Sequence, residues 1–263
     1  VTPIPTRAAA VTYAAADDVG TVTLGEPGRV FVLDGAAVDA LESAVDQVER
    51  DRPCCLVVVG GGRVFCAGAD LEELARLDPP AFGSWNERLA RVATRLAELP
   101  MPVVAALNGA ALGGGLELAL AADHRIADPA ASVGLPEVGL GFMPGAGGVR
   151  RLTRLLGPHR ARWLILRGTR LSAAEALEAG LVDEIHADPP ARAHEFAEEF
   201  RGTSAAALAA VKRAVDTAYS PDAHAIEQEL IGALFDTDAC RQAIAGFVAA
   251  RSRRRATAAT GTR

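Results

Sequence analysis

The chain predicts an α/β fold with parallel strands, and three observations carry that prediction. Its apolar runs CLVVVGGG (55–62) and PVVAALN (102–108) are continuous rather than alternating, as strands buried on both faces should be. Each run is stopped by glycine or asparagine and followed by a glycine-bearing loop. Helical periodicity then takes over after each loop, so strand, loop and helix recur as a unit, and parallel strands need such crossovers.

The elements follow in order. VGTVTL (19–24) and RVFVLD (29–34) read as short strands joined by the turn GEPG. The period then switches, with Val38, Leu41, Val45 and Val48 at helical spacing. After the strand 55–62, the loop CAGAD (66–70) opens the helical stretch LEELARL, and a longer amphipathic segment (82–99) leads to the second buried strand. The second loop is NGAALGGG (108–115), followed by the helix LELALAADH, two short strand-like pieces, RIAD and ASVG, and the apolar loop LPEVGLGFMPGAGG. Beyond Gly148 the reading is mostly helical, with one strand candidate at GLVDEI (180–185). Ser172 and Glu175 have capping-box spacing, and Gly180 stands where a helix end needs a left-handed residue. These features divide the chain into a core at 1–195, a helical region at 196–253 and a disordered tail at 254–263.

Composition narrows the function. The 263 residues include 50% hydrophobic ones and carry a net charge of -6, with Lys212 the only lysine. That balance offers nothing to nucleic acid or anionic lipid, and a chain this long buries about three quarters of its unfolded surface without staples. Cys54, Cys55, Cys66 and Cys240 form neither a CxxC pair nor a dense framework, which reads as reduced thiols in a cytoplasmic protein. The first twenty residues lack the apolar core of a signal peptide, and the uncharged run 99–116 is broken by prolines, Asn108 and three glycines, so no membrane span is expected. No nucleophile elbow, dinucleotide fingerprint or phosphate loop occurs, and the five histidines lie scattered, which removes the usual metal spacings.

Two glycine loops at strand ends remain, the place where open α/β sheets bind ligands. Their glycines serve either as tight turns or as openings through which the N–H groups of Ala69 and Gly114 meet one oxygen. Such donors stabilise an oxyanion. Glu117 begins an otherwise apolar helix, where a carboxylate must be paired, protonated or at work. Glu137 lies in the apolar loop GLPEVGLG. Each acid alone is commonly a solvated group; beside two donor loops they describe an acid/base pair next to an oxyanion site.

The segments FCAGADL, VVAALNGAALGGGLELALAADHRIAD, SVGLPEVGLGFMPGAGGVRRLTRLLG and RLSAAEALEAGLVDEI, in that order, resemble the enoyl-CoA hydratase/isomerase family, the crotonase superfamily. The resemblance runs over 19–253 and is most specific over 65–182. It implies a crotonase-like spiral of ββα units with a C-terminal helical trimerisation region, and a homo-oligomer that is a trimer or a dimer of trimers. It implies an acyl-CoA thioester substrate, with coenzyme A as part of that substrate and no separate cofactor or metal. The thioester oxygen is expected between the amides of Ala69 and Gly114, and the adenine along Ala67, Asp70 and Leu71. The family's usual asparagine-bearing first loop is replaced by GEPGRVFVLDGAAVDAL, which leaves Arg29 as the cation for a CoA phosphate. Trp85, Phe142 and Met143, with Phe82, are the expected acyl pocket, and Phe247 and the RSRRR tail are candidates to reach a neighbouring subunit's CoA. Glu117 and Glu137 fall on the positions of the two hydratase glutamates, which favours addition of water to a trans-2-enoyl-CoA. A Δ3-Δ2-enoyl-CoA isomerase using Glu137 alone, another specialised reaction on an acyl-CoA, and a noncatalytic CoA-ester-binding protein are the alternatives.

Overall fold

The continuous apolar runs do become buried parallel strands. A computed structural model describes the backbone of residues 11–260 and the side chains of residues 11–251. β3 (Cys55–Gly60) pairs parallel with β4 (Val103–Leu107), Leu56 opposite Val103 and Val59 opposite Ala106. Alternate residues of β3 serve two separate cores. Leu56 and Val58 join the large cluster under α1 (Gly35–Asp51) and α3 (Pro79–Glu98), while Cys55, Val57 and Val59 pack with Val104, Ala106 and Ile126 against Ala193 and Ala197 of α7 (Pro189–Glu198). Apolar side chains on both faces explain why these strands show no alternation.

β1 (Val11–Ala16), β2 (Val19–Leu24), β6 (His124–Ala127) and β9 (Glu184–Ile185) complete a six-stranded sheet of order β1-β2-β3-β4-β6-β9, parallel except for β1. The antiparallel partner of β2 is therefore β1 and not residues 29–34. Asp17 and Asp18, both at positive φ, turn the chain in a two-residue hairpin, a conformation that Asp tolerates better than most residues. A second sheet of three strands contains β5 (Ala111–Leu112), β7 (Ser132–Gly134) and β8 (Arg170–Ser172), in that order.

The long helices are capped as their sequences ask. Asp34 accepts from Ala37 N at 2.6 Å to start α1, and Asp78 accepts from Ala81 N at 2.9 Å to start α3. Facing charges then fix the two together: Arg88 meets Asp39 and Glu42, and Arg95 meets Asp46 and Glu49. α2 (Leu71–Leu74) is one turn, shorter than LEELARL suggested, and α4 (Gly114–Ala119) ends before the predicted helix does. α5 (Gly148–Arg167) and α6 (Ala173–Ala179) follow, the latter with its Ser172–Glu175 capping box formed.

The chain divides after Gly202, not after residue 195, because α7 closes one face of the main sheet. The second unit holds α8 (Ala205–Asp216), α9 (Ala223–Phe235) and α10 (Asp238–Thr260). Among its described side chains Ala210 alone is buried, while Val211, Val215, Phe235 and Phe247 stand exposed. The expected disordered tail is helical through Thr260, consistent with alanine and arginine being strong helix formers. Residues 261–263, the start of the chain including Arg7, and the side chains of RSRRR after Arg251 lie outside the described residues. Among the described residues no helix is long and apolar enough to cross a membrane.

Candidate active site

The segment 29–34, expected as a sheet strand, is used to brace the first glycine loop. Ala67 N donates to Phe31 O (2.9 Å), Leu33 N to Gly68 O (2.8 Å) and Asp70 N to Leu33 O (3.0 Å). On the loop's other side, Phe65 and Cys66 amides both reach Ala110 O at 3.1 Å, and Leu112 N reaches Cys66 O at 3.0 Å. Because Gly68 and Asp70 turn their polar groups to Leu33, Ala69 between them points its own N–H to the opposite side. That N–H is not spent on any backbone acceptor among the described residues.

The second loop comes up against this one. Gly113 adopts φ 54° and ψ -127°, a conformation closed to ordinary side chains, and so turns β5 directly into α4. Gly114 is then the first residue of the helix, and its N–H is one of those a helix leaves without an internal partner. At Gly115, a Cβ would fall 2.4 Å from Cys66 O, so only glycine lets the two loops close to this distance. A Cβ on Gly113 would come within 4.0 Å of Gly68 Cα. The structure thus brings the Ala69 and Gly114 loops together, with both amides unspent on any backbone acceptor among the described residues.

The two glutamates sit beside them in unlike surroundings. Glu117, on the first turn of α4, is 3% exposed, and its Oε1 accepts from Ala146 N and Gly148 N, both at 2.7 Å. Gly148 opens α5, so a helix N-terminus adds favourable potential for a carboxylate. Burial pushes the Glu117 carboxyl up from its ordinary range; the amides of Gly148 and Ala146 and the charge of Arg151 pull it back. Arg151, itself buried, donates to Ala146 O and Ala93 O at 2.8 Å each, fixing the turn that supplies one of those amides.

Glu137 starts a single 3-10 turn (Glu137–Leu140) after Pro136. Its Oε1 lies 3.3 Å from where a Gly113 Cβ would be, which sets the carboxyl at the glycine loop. Its Oε2 is buried without a hydrogen-bond partner among the described residues. Burial, reinforced by the negative charge of Glu117, pushes this carboxyl up to about 7, against the pull of its own backbone N–H.

The remaining expected residues divide. The Asp70 carboxylate caps α2, accepting from Glu72 N (2.9 Å) and Glu73 N (3.1 Å), so it serves the loop rather than projecting as a ligand group. Leu71 is 54% exposed, and Arg29 pairs with Glu26 at 3.5 Å. Trp85 is buried and its ring lies 6.2 Å from that of Phe82, which in turn lies 5.5 Å from Phe142. Phe142 and Met143 are exposed. Sequence reading missed the amides of Ala146 and Gly148 and the support from Arg151. The signal was the glycine-rich run PGAGG (144–148) with an arginine three residues beyond.

The profile of the enoyl-CoA hydratase/isomerase family matches residues 14–254. The chain belongs to this family. It is 34% identical over 241 residues to the short-chain-enoyl-CoA hydratase of Clostridium acetobutylicum, covering 88% of this chain and 91% of that one. With the enoyl-CoA isomerase/hydratase fer4 of Mycosarcoma maydis it shares 38% over 185 residues, 68% and 67% of the two chains. Its fold superposes on the crystal structure of enoyl-CoA hydratase from Bacillus anthracis with a TM-score of 0.83, at 33% identity and coverage of 92% and 96%. The α/β architecture is the crotonase fold of that family, and the two glycine loops and both glutamates lie within the matched residues.

Proposed function

We propose that this family member is an enoyl-CoA hydratase, adding water reversibly and syn across the double bond of a trans-2-enoyl-CoA to give a 3-hydroxyacyl-CoA. The observation that carries the reading is the pair of carboxyls with opposed environments beside two unspent amides. The thioester oxygen accepts from Ala69 N–H and Gly114 N–H, which take up the charge that develops there as water attacks. Glu117, held by two amides beside a cation, is the carboxylate that orients the water and removes its proton. Glu137, which keeps its proton to about pH 7, delivers one to Cα. Every proton has a source, so the reaction needs no separate cofactor or metal; coenzyme A enters with the substrate. The main chain at 67–71 and Arg29 are the proposed CoA contacts, and Phe82, Trp85, Phe142 and Met143 the proposed acyl wall.

The exposed apolar residues of the C-terminal unit support assembly into a trimer or a dimer of trimers. The free cysteines and acidic balance fit a cytoplasmic enzyme. The test follows absorbance at the conjugated-enoyl band with crotonyl-CoA and a longer trans-2-enoyl-CoA. A decay of the band to an equilibrium is expected, and an unchanged band with bound substrate overturns hydration.

One observation favours a second reading. Glu137 alone combines a raised pKa with an unpartnered oxygen, as a single-residue proton shuttle between Cα and Cγ would require. A Δ3-Δ2-enoyl-CoA isomerase acting in this way makes the conjugated band grow from a 3-enoyl-CoA, and product analysis separates the two.

A further inference from the structure

One polar atom close to the reaction centre takes no part in the chemistry above. Trp85 is 9% exposed, and its indole Nε1–H is sealed from water with no hydrogen-bond acceptor among the described residues. A buried donor left unpaired is costly, and indole N–H groups inside proteins ordinarily find an acceptor.

The position of Trp85 suggests what that acceptor is. Leu89, one turn further along the same face of α3, lies 3.4 Å from where a Gly114 Cβ would be. Trp85 therefore stands about 6 Å along the helix axis from the residue that packs on the oxyanion glycine. Phe82 packs between Trp85 and Phe142, and Asn86 donates to Gly145 O at 3.4 Å, so this end of α3 is fastened to the segment carrying Phe142 and Met143. Of Phe82, Trp85, Phe142 and Met143, the indole alone carries a polar hydrogen.

We propose that Trp85 Nε1–H is a specificity-determining donor, and that the acyl pocket takes an enoyl thioester whose tail carries an oxygen acceptor, a carbonyl or hydroxyl several carbons beyond the thioester. The proposal rests on the acyl-thioester reading of the site. An oxygenated tail completes the hydrogen bond, whereas a plain alkyl tail leaves the donor buried and unpaired, and discrimination of this kind comes from the unpaired group. Phe82, partly buried and stacked 6.2 Å from the indole, is the neighbour that turns aside to let the tail reach it.

Saturated ligands separate this from turnover. The affinities of octanoyl-CoA and its 5-, 6- and 7-oxo analogues are measured on the wild type and on Trp85→Phe, with the Trp85 indole 15N–1H resonance followed in a Trp163→Phe background. One oxo analogue is expected to bind the wild type about fivefold or more tightly than octanoyl-CoA, the worth of one hydrogen bond, and to move the indole resonance downfield. In Trp85→Phe that ratio should fall to near one. Equal affinities in the wild type with an unmoved resonance overturn the donor role while leaving the thioester reading intact. Failure of all four esters to bind overturns both. Should Trp85→Phe not fold, the wild-type ratio and resonance decide alone.

Discussion

The start of α4 and the 3-10 turn at Glu137 present the same functional group in opposite ways. At the first, Glu117 is 3% exposed, doubly hydrogen-bonded at 2.7 Å and faces a helix N-terminus. At the second, Glu137 is half-buried, and one of its oxygens has no partner among the described residues. Burial lifts both carboxyls, but at Glu117 two amides and Arg151 oppose the lift, whereas at Glu137 only its own backbone N–H opposes it and the charge of Glu117 adds to it. The difference teaches that backbone donors and neighbouring charge, more than depth of burial, set these two carboxyls apart.

The largest expected effect removes the proton chemistry from either region. Glu117→Gln and Glu137→Gln should each lower turnover of a 2-enoyl-CoA by at least ~100-fold, the low end for general acid/base catalysis, with CoA-ester affinity largely kept. Steady-state rates and equilibrium binding check this, and near-normal turnover in either variant would remove that residue from the reaction.

A sharper contrast lies in stability. Glu117→Ala strands the two buried N–H groups of Ala146 and Gly148 and should cost about 2–4 kcal/mol in denaturant melts, while Glu137→Ala gives up only the pull of its own backbone N–H and should cost far less. Equal losses would mean that the two environments are not as different as their hydrogen bonds imply.

The subtlest test uses pH. The folded-state value of Glu137, about 7, lies above its ordinary value of 4.5, so the native state holds a proton that the unfolded chain has lost. The stability linked to that proton is complete below about pH 4.5 and is lost as pH rises to about 7. Wild type should therefore lose stability relative to Glu137→Gln across that window and run parallel to it above. A constant difference between their melts would show that Glu137 is ionised throughout.

Much of this arrangement was readable in the residues, and the exceptions share a cause. The buried strands, the glycine loops and both acids announce themselves because side-chain type carries the information: CLVVV, GGG, a lone Glu in an apolar helix. RVFVLD looked like a sheet strand because Phe31 and Leu33 are indeed buried, yet its backbone pairs with the loop at 67–70. Periodicity reports which residues face the core, not which backbone they bond. VTYAAA escaped notice because an edge strand with mostly exposed alanines has no pattern to detect. The Ala146 and Gly148 amides were invisible for a related reason, since an N–H donor looks the same in every residue but proline.

The bracing of the loop at 67–70 has an evolutionary consequence. Both proposed oxyanion donors are main-chain groups, and the loop carrying Ala69 is held by main-chain bonds to Phe31, Leu33 and Ala110. Point mutations away from the loop glycines exchange side chains only, so they leave these donors in place while the acids and the acyl wall drift. A lineage built on this frame explores new reactions from an already activated substrate, losing one chemistry without first losing the means to acquire another.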